Sequence, residues 1–166
     1  MTSSTGSTMA ASSADLATPA QAVDNMPDDI IDRFVYIYQK LNKDNLQLLP
    51  HIYSEQVRFS DPLHKIAGLS SLSEYFHSLY QNVESIDFVI HDVVRDSNRA
   101  ALKWTMNLVH PKLNSGNVFS VEGVSLLTYS DKVSLHQDYF DLGAMLYEQL
   151  PFVGGLIGFV KSRVGK

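Results

Sequence analysis

Residues 86–141 read IDFVIHDVVRDSNRAALKWTMNLVHPKLNSGNVFSVEGVSLLTYSDKVSLHQDYFD, and this stretch decides the fold. Four segments rich in Val, Phe, Leu and Tyr, at 86–95, 99–110, 118–129 and 132–141, are separated by Asp-Ser-Asn, Pro-Lys-Leu-Asn-Ser-Gly and Ser-Asp. Branched and aromatic side chains suit a pleated surface and the separators supply turns, so the stretch predicts consecutive antiparallel strands. Upstream the period changes. Ile30, Phe34, Tyr38 and Leu41 recur at helical spacing behind Pro27, Asp28 and Asp29, which predicts a helix with Pro27 at its first position and a stop near Asn42. Leu46, Leu49, Ile52 and Tyr53 predict a second, short helix that Pro50 starts or kinks. Val57, Phe59 and Asp61 alternate with Arg58 and Ser60 as in a short strand, which places Asp61 on the same face as Val57 and Phe59. After a loop ending at Gly68, the residues Leu69, Leu72, Tyr75, Phe76, Leu79 and Tyr80 predict a third helix. Three helices followed by a run of strands predict the α+β class, with the helices packed on one face of a curved sheet.

The chain has 166 residues, of which 45% are hydrophobic and 19% charged, with a net charge of −5 and no cysteine. That length suits one core without covalent staples. The lack of cysteine removes a disulfide framework, thiol catalysis and cysteine-ligated zinc together. The mild acid excess argues against a nucleic-acid binder, and no apolar run is long enough to span a bilayer. These values predict a soluble, cytoplasmic protein. Residues 1–26 are dominated by Ser, Thr and Ala and lack aromatic side chains; they predict a flexible tail without the basic start and apolar stretch of a secretory signal. Residues 27–142 then form the domain and 143–166 an extension. In the extension, Phe152, Val153, Leu156, Ile157, Phe159 and Val160 surround three glycines, and Lys161, Arg163 and Lys166 follow. Such an arm covers apolar surface on its own subunit or a partner, or else 151–166 touches a membrane as a basic amphipathic segment.

Several chemistries lack their motifs. There is no phosphate-binding Gly-x-x-x-x-Gly-Lys loop, no Gly-x-Ser-x-Gly elbow and no His-Glu-x-x-His, and the six histidines are scattered without ligand spacing. The expectation is a site without metal or cofactor. Asp61 is the first candidate: a carboxylate on an apolar strand face is suited to general base chemistry, whereas before Pro62 it equally starts a turn. The run His136-Gln137-Asp138-Tyr139-Phe140-Asp141 is the second. His136, Asp138 and Phe140 share one face, and Leu135, Gln137, Tyr139 and Asp141 share the other. Parity leaves the internal face open; if the first set points inward, His136 and Asp138 are within reach of each other for proton transfer. Trp104 belongs to the apolar strand face with Met106 and is either core or cavity wall. Glu122 alternates with Ser120 and Val124, buried or exposed.

Read in order, Leu41-Asn42-x-x-Asn45-Leu46, Tyr53-x-x-x-Val57-x-Phe59-x-Asp61-Pro62, Gly68 before a helix, the Trp104 strand, Val121-Glu122-Gly123-Val124 and Asp138-Tyr139-Phe140-Asp141 resemble the nuclear transport factor two-like superfamily, in its SnoaL-like branch. The resemblance covers about residues 27–142. It implies a cone-shaped α+β barrel around one hydrophobic cavity, and a homodimer formed through the sheet. Members include polyketide cyclases, ketosteroid isomerase, limonene-epoxide hydrolase and non-catalytic binding or dimerisation modules. Asp61 matches the general base of ketosteroid isomerase, but the positions of its two oxyanion donors fall at Ile37 and near Ser125, leaving Tyr36, Tyr38 and Trp104 as the candidates to replace them. Ordinary ketosteroid isomerisation is therefore not expected. The epoxide hydrolase's Asp-Arg-Asp set has no arginine at a matching position. Asp138 matches the acid/base aspartate of SnoaL-like cyclases, with His136 as its neighbour.

Together these readings predict a small hydrophobic molecule bound in the cone. Asp61, Asp138 and His136 are the expected catalytic groups for cofactor-free isomerase or cyclase chemistry. Trp104, Tyr53, Phe59, Met106, Glu122 and Phe140 are the expected ligand contacts. The alternative is a non-catalytic ligand-binding or dimerisation module, associated with lipid metabolism or a membrane surface.

Overall fold

A computed structural model describes residues 26–146, 159–160 and 162–163. The tail and most of the apolar, basic arm lie outside the described residues. In chain order the elements are α1 (Ile30–Tyr38), a 3₁₀ segment (Leu46–His51), β1 (Tyr53–Ser60), β2 (Lys65–Ala67), α2 (Leu69–Asn82), β3 (Ser85–Asp96), β4 (Arg99–Val109), a 3₁₀ turn (Asn114–Gly116), β5 (Phe119–Tyr129), β6 (Val133–Phe140) and α3 (Leu142–Met145). The predicted α+β architecture is present, as one curved, six-stranded sheet in the order β2-β1-β6-β5-β4-β3. Its pairings are antiparallel except β1 with β6, which run parallel with Phe59 opposite His136.

Local chemistry accounts for the boundaries. Asp29, rather than Pro27, opens α1: its carboxylate accepts from the backbone N–H of Ile31 at 2.9 Å and of Asp32 at 3.0 Å. The helix ends at Tyr38, short of Asn42, because Asn42 and Asn45 turn the chain by bonding to the Lys40 carbonyl and to each other. The second predicted helix is a 3₁₀ segment that stops at His51, and Ile52 and Tyr53 leave it so that Tyr53 begins β1. Gly68 has φ +90°, a conformation open to glycine, and redirects the chain from β2 into α2 while its N–H donates to the Val57 carbonyl at 2.8 Å.

Alternation on the long strands sets the core. Ala100, Leu102, Trp104, Met106 and Leu108 of β4 point inward and are buried, as are Phe119, Val121, Ser125 and Leu127 of β5. α1 contributes Ile30, Ile31, Phe34, Ile37 and Tyr38, and α2 contributes Leu69, Leu72, Phe76 and Tyr80, to the same cluster. Register irregularities between Ile90 and Asp92 and between Thr128 and Tyr129 break the ladder, and such bulges bend a sheet. Among the described residues no helix is long and apolar enough to cross a membrane.

Candidate functional site

The helices and the inner face of the sheet leave a cavity of about 650 Å³. Its wall is mainly apolar and includes Phe59, Phe76, Phe88, Trp104, Met106 and Phe140. The size and character suit a small organic ligand. Two carboxylates, Asp61 and Asp138, face this one cavity. Since Ser60 lies opposite Gln137, both follow directly from the parallel pairing of β1 with β6.

Asp138 sits at the junction of two hydrogen-bond chains. Ser125 lies opposite it on β5, and Gly123 lies opposite Trp104 of β4. A Cβ at position 123 would collide with Cη2 and Cζ2 of the indole. Glycine thus lets the ring lie across β5, where Trp104 Nε1–H donates to Ser125 Oγ at 2.9 Å. The Ser125 hydroxyl in turn donates to Asp138 Oδ1. On the other side, Tyr53 Oη is 2.6 Å from His136 Nδ1, and His136 Nε2 is 2.7 Å from the same Asp138 oxygen. Burial holds the Tyr53 phenol well above its ordinary pKa, so it stays protonated and donates to Nδ1. Nδ1 is then the acceptor, and Nε2 carries the hydrogen given to Asp138. Phe34, Tyr38, Tyr53 and Phe59 box the imidazole, with ring centroids 5.0–5.9 Å away, and His136 is fully buried. Both chains end on Oδ1. No donor among the described residues meets Oδ2, so that oxygen is available to a ligand in the cavity.

Asp61 is differently placed. Oδ1 accepts from the backbone N–H of Leu63 at 2.7 Å and of His64 at 2.6 Å, which makes the Asp61-Pro62 turn. Oδ2 accepts from Tyr75 Oη at 2.7 Å, and His64 Nδ1 lies 3.3 Å from Oδ1. Burial, and then the bond to Asp61, raise the Tyr75 pKa and keep its hydroxyl a donor. Four donors therefore surround Asp61, and both of its oxygens are engaged.

The other expected site residues divide three ways. Phe59, Trp104, Met106 and Phe140 line the cavity. Tyr53 and His136 do not: both are fully buried behind the wall and act on Asp138 from the rear. Glu122 is exposed beside Thr105 on the outer face, because Val121 and Gly123 take the inner one, and it has no route to the cavity. Of the candidate replacement donors, Trp104 Nε1–H is committed to Ser125, and Tyr36 lies beneath the Lys40 ammonium, 3.8 Å from its ring centre, away from the cavity. Reasoning from sequence missed Ser125, Tyr75 and Tyr80. Tyr80 reads as one more apolar residue of the α2 stripe, yet it lines the cavity, and no hydrogen-bond partner for its hydroxyl is found among the described residues; burial raises its pKa and keeps it a phenol. No group of three or more His, Asp or Glu among the described residues is arranged to hold a metal ion.

A curved sheet folded over helices, with a mainly apolar cavity and two carboxylates in its wall, defines a cone-type α+β fold. The family model of the SnoaL-like domain matches residues 34–134, and the chain belongs to that family. Among solved structures, a putative SnoaL-like polyketide cyclase from Jannaschia sp. CCS1 is similar with a TM-score of 0.63 at 13% identity, covering 74% of this chain and 94% of that one. A hypothetical protein with a ketosteroid isomerase-like fold from Catenulispora acidiphila DSM 44928, in complex with trimethylamine, gives 0.62 at 17% identity over 76% and 96%. TerC, co-crystallised with polyporic acid, gives 0.60 at 14% identity over 70% and 94%. At these identities the likeness is one of fold. No curated protein matches the chain.

Proposed function

We propose that the cavity binds a small hydrophobic molecule and that Asp138 takes a proton from a carbon next to a carbonyl, in cofactor-free isomerase or cyclase-type chemistry. The observation that carries this reading is Asp138 Oδ2, an unengaged carboxylate oxygen in an apolar cavity whose partner oxygen is fixed by His136 and Ser125. A base held in one orientation needs no rearrangement when it accepts a proton. The hydroxyl of Tyr80 is a donor of the cavity wall offered to a developing enolate oxygen. Asp61, with its oxygens occupied, serves to hold the turn and Tyr75. TerC, which is similar in fold, is co-crystallised with polyporic acid, and this supports an organic ligand here.

Proton exchange tests the proposal without a known substrate. Apolar aryl 1,3-diketones in deuterated buffer, followed by NMR, report loss of the hydrogen between the carbonyls. The wild type should accelerate exchange, Asp138→Asn should lose ~10²-fold or more, in line with general base catalysis, and Asp61→Asn should lose far less. Binding of the diketones with no exchange above buffer, or equal exchange by wild type and Asp138→Asn, overturns the catalytic reading and leaves a binding module. That second reading has its own observation: two donors of the cavity wall, Trp104 and Tyr75, are already committed to Ser125 and Asp61. Exposed Val89, Leu126 and Tyr139 on the outer sheet face support pairing of two copies, which sedimentation would check.

A further inference from the structure

The charged groups around the cavity are segregated. Its two carboxylates, Asp138 and Asp61 with His64 3.3 Å from it, lie toward the β1–β6 side, while the loop after β4 brings the ammonium of Lys112, with His110, to the same cavity. Lys112 is exposed, and no carboxylate pairs with it among the described residues. Its backbone N–H donates to His110 Nδ1 at 3.1 Å, so the remaining ring hydrogen of a neutral His110 is on Nε2, free to donate to a ligand. The loop is pinned. Leu113 is buried, its N–H donates to the His110 carbonyl at 3.0 Å, and Asn114, Ser115 and Gly116 all have positive φ, braced by the Asn114 and Asn117 side chains. Between the two charged regions run Trp104, Met106 and Leu108 on the inner face of β4. At ~3.3 Å per residue, His110 stands roughly 20 Å along the strand from Trp104.

We infer that the natural ligand is an apolar molecule with one anionic group, a carboxylic acid or an equally acidic group, which Lys112 and His110 receive at the rim while the apolar body extends toward Asp138. This inference rests on the cavity-binding reading above and adds polarity to it. Two carboxylates inside repel a negative end, and an unpaired ammonium at the rim attracts it, so charge sets which end of the ligand enters. An acidic group retained at the rim also keeps the reacting carbon, rather than the charge, beside Asp138.

A matched probe pair tests it. N-phenyl-1-naphthylamine and its 8-sulfonate share one apolar body and differ by a single negative charge. Trp104, the chain's one tryptophan, lines the cavity and reports occupancy by energy transfer to either probe. In low-salt buffer the sulfonate should bind the wild type about fivefold tighter than the neutral probe, the scale of one exposed ion pair. Lys112→Gln should abolish that preference, read as the ratio of the two probes' affinities, and Lys103→Gln, which alters an exposed lysine on the outer face of β4, should preserve it. Equal affinities in the wild type, or a preference that survives Lys112→Gln, overturn the inference and leave cavity binding intact. Absence of energy transfer from Trp104 to both probes overturns cavity binding itself.

Discussion

Ser125 Oγ accepts from an indole and donates to a carboxylate, and this one hydroxyl links the apolar wall to the acidic group beside it. The geometry depends on a residue with no side chain. At Gly123 a methyl group would meet the indole of Trp104, whose rigid ring is packed against Phe88 and Phe140 at centroid distances of 5.4 and 6.2 Å. Gly123→Ala should therefore cost ~1–3 kcal/mol, the range for overpacking a core, in denaturant unfolding. It should also shift Trp104 emission, since the ring must leave Ser125 to make room. The sequence signals this only obliquely: Val121-Glu122-Gly123-Val124 places a glycine in a strand, which is a mark of close approach, but not what approaches. His136 and Asp138 were legible as a pair sharing a face. Which face is internal became decidable only from cross-strand register, because His136 lies opposite Leu127 and Asp138 opposite Ser125, both inward on β5.

At the scale of elements, α1 is fastened at its N-terminus twice. Asp29 caps the helix, and Arg95 near the end of β3 bridges to Asp29 and Asp32, each at 2.8 Å. The exposed ion pairs add little, whereas a lost cap exposes helix N–H groups. Asp29→Ala should lower stability by ~1 kcal/mol at neutral pH. The N–H of Asp32 first, helped by that of Ile31 and the charge of Arg95, holds the Asp29 carboxyl below its ordinary 3.8 against the opposing effect of burial. A lowered pKa means a contribution present above 3.8 and lost as pH falls below it, so wild type and Asp29→Ala should converge in acid unfolding experiments. The long strands and α2 were readable because alternation and helical spacing persist over many residues. β2 was not, since three half-exposed or exposed residues carry no period. The short second helix is of the 3₁₀ type because Leu46, Leu49 and Ile52 fit a three-residue repeat as well as the α-helical one, and Pro50 sits within it.

For the molecule as a whole, the aromatic interior has a cost at high pH. Four of the eight tyrosines, Tyr38, Tyr53, Tyr75 and Tyr80, have their ionisation pushed above the usual 10, chiefly by burial. The unfolded chain releases these protons near pH 10 while the folded one retains them. Below pH 10 neither state ionises and stability is flat in this respect; above it, each such phenol removes about 1.4 kcal/mol per pH unit. Absorbance at 295 nm should show these buried four ionising only together with loss of the folded circular dichroism signal. Separate titration of all eight near pH 10, with the fold intact, contradicts the buried placement.

The parallel pairing of β1 with β6 also dictates when the fold can be completed. Arg58 takes its partner from Leu135, at the far end of the domain, so during synthesis the first hairpin waits with an unpaired edge until the last strand arrives. Closure of so distant a contact is slow compared with the β3–β4 and β4–β5 hairpins, which form from neighbouring residues. The same strand delivers His136 and Asp138. A nascent chain stopped after β5 has neither a continuous sheet nor the His136–Asp138 pair, and the last strand supplies both.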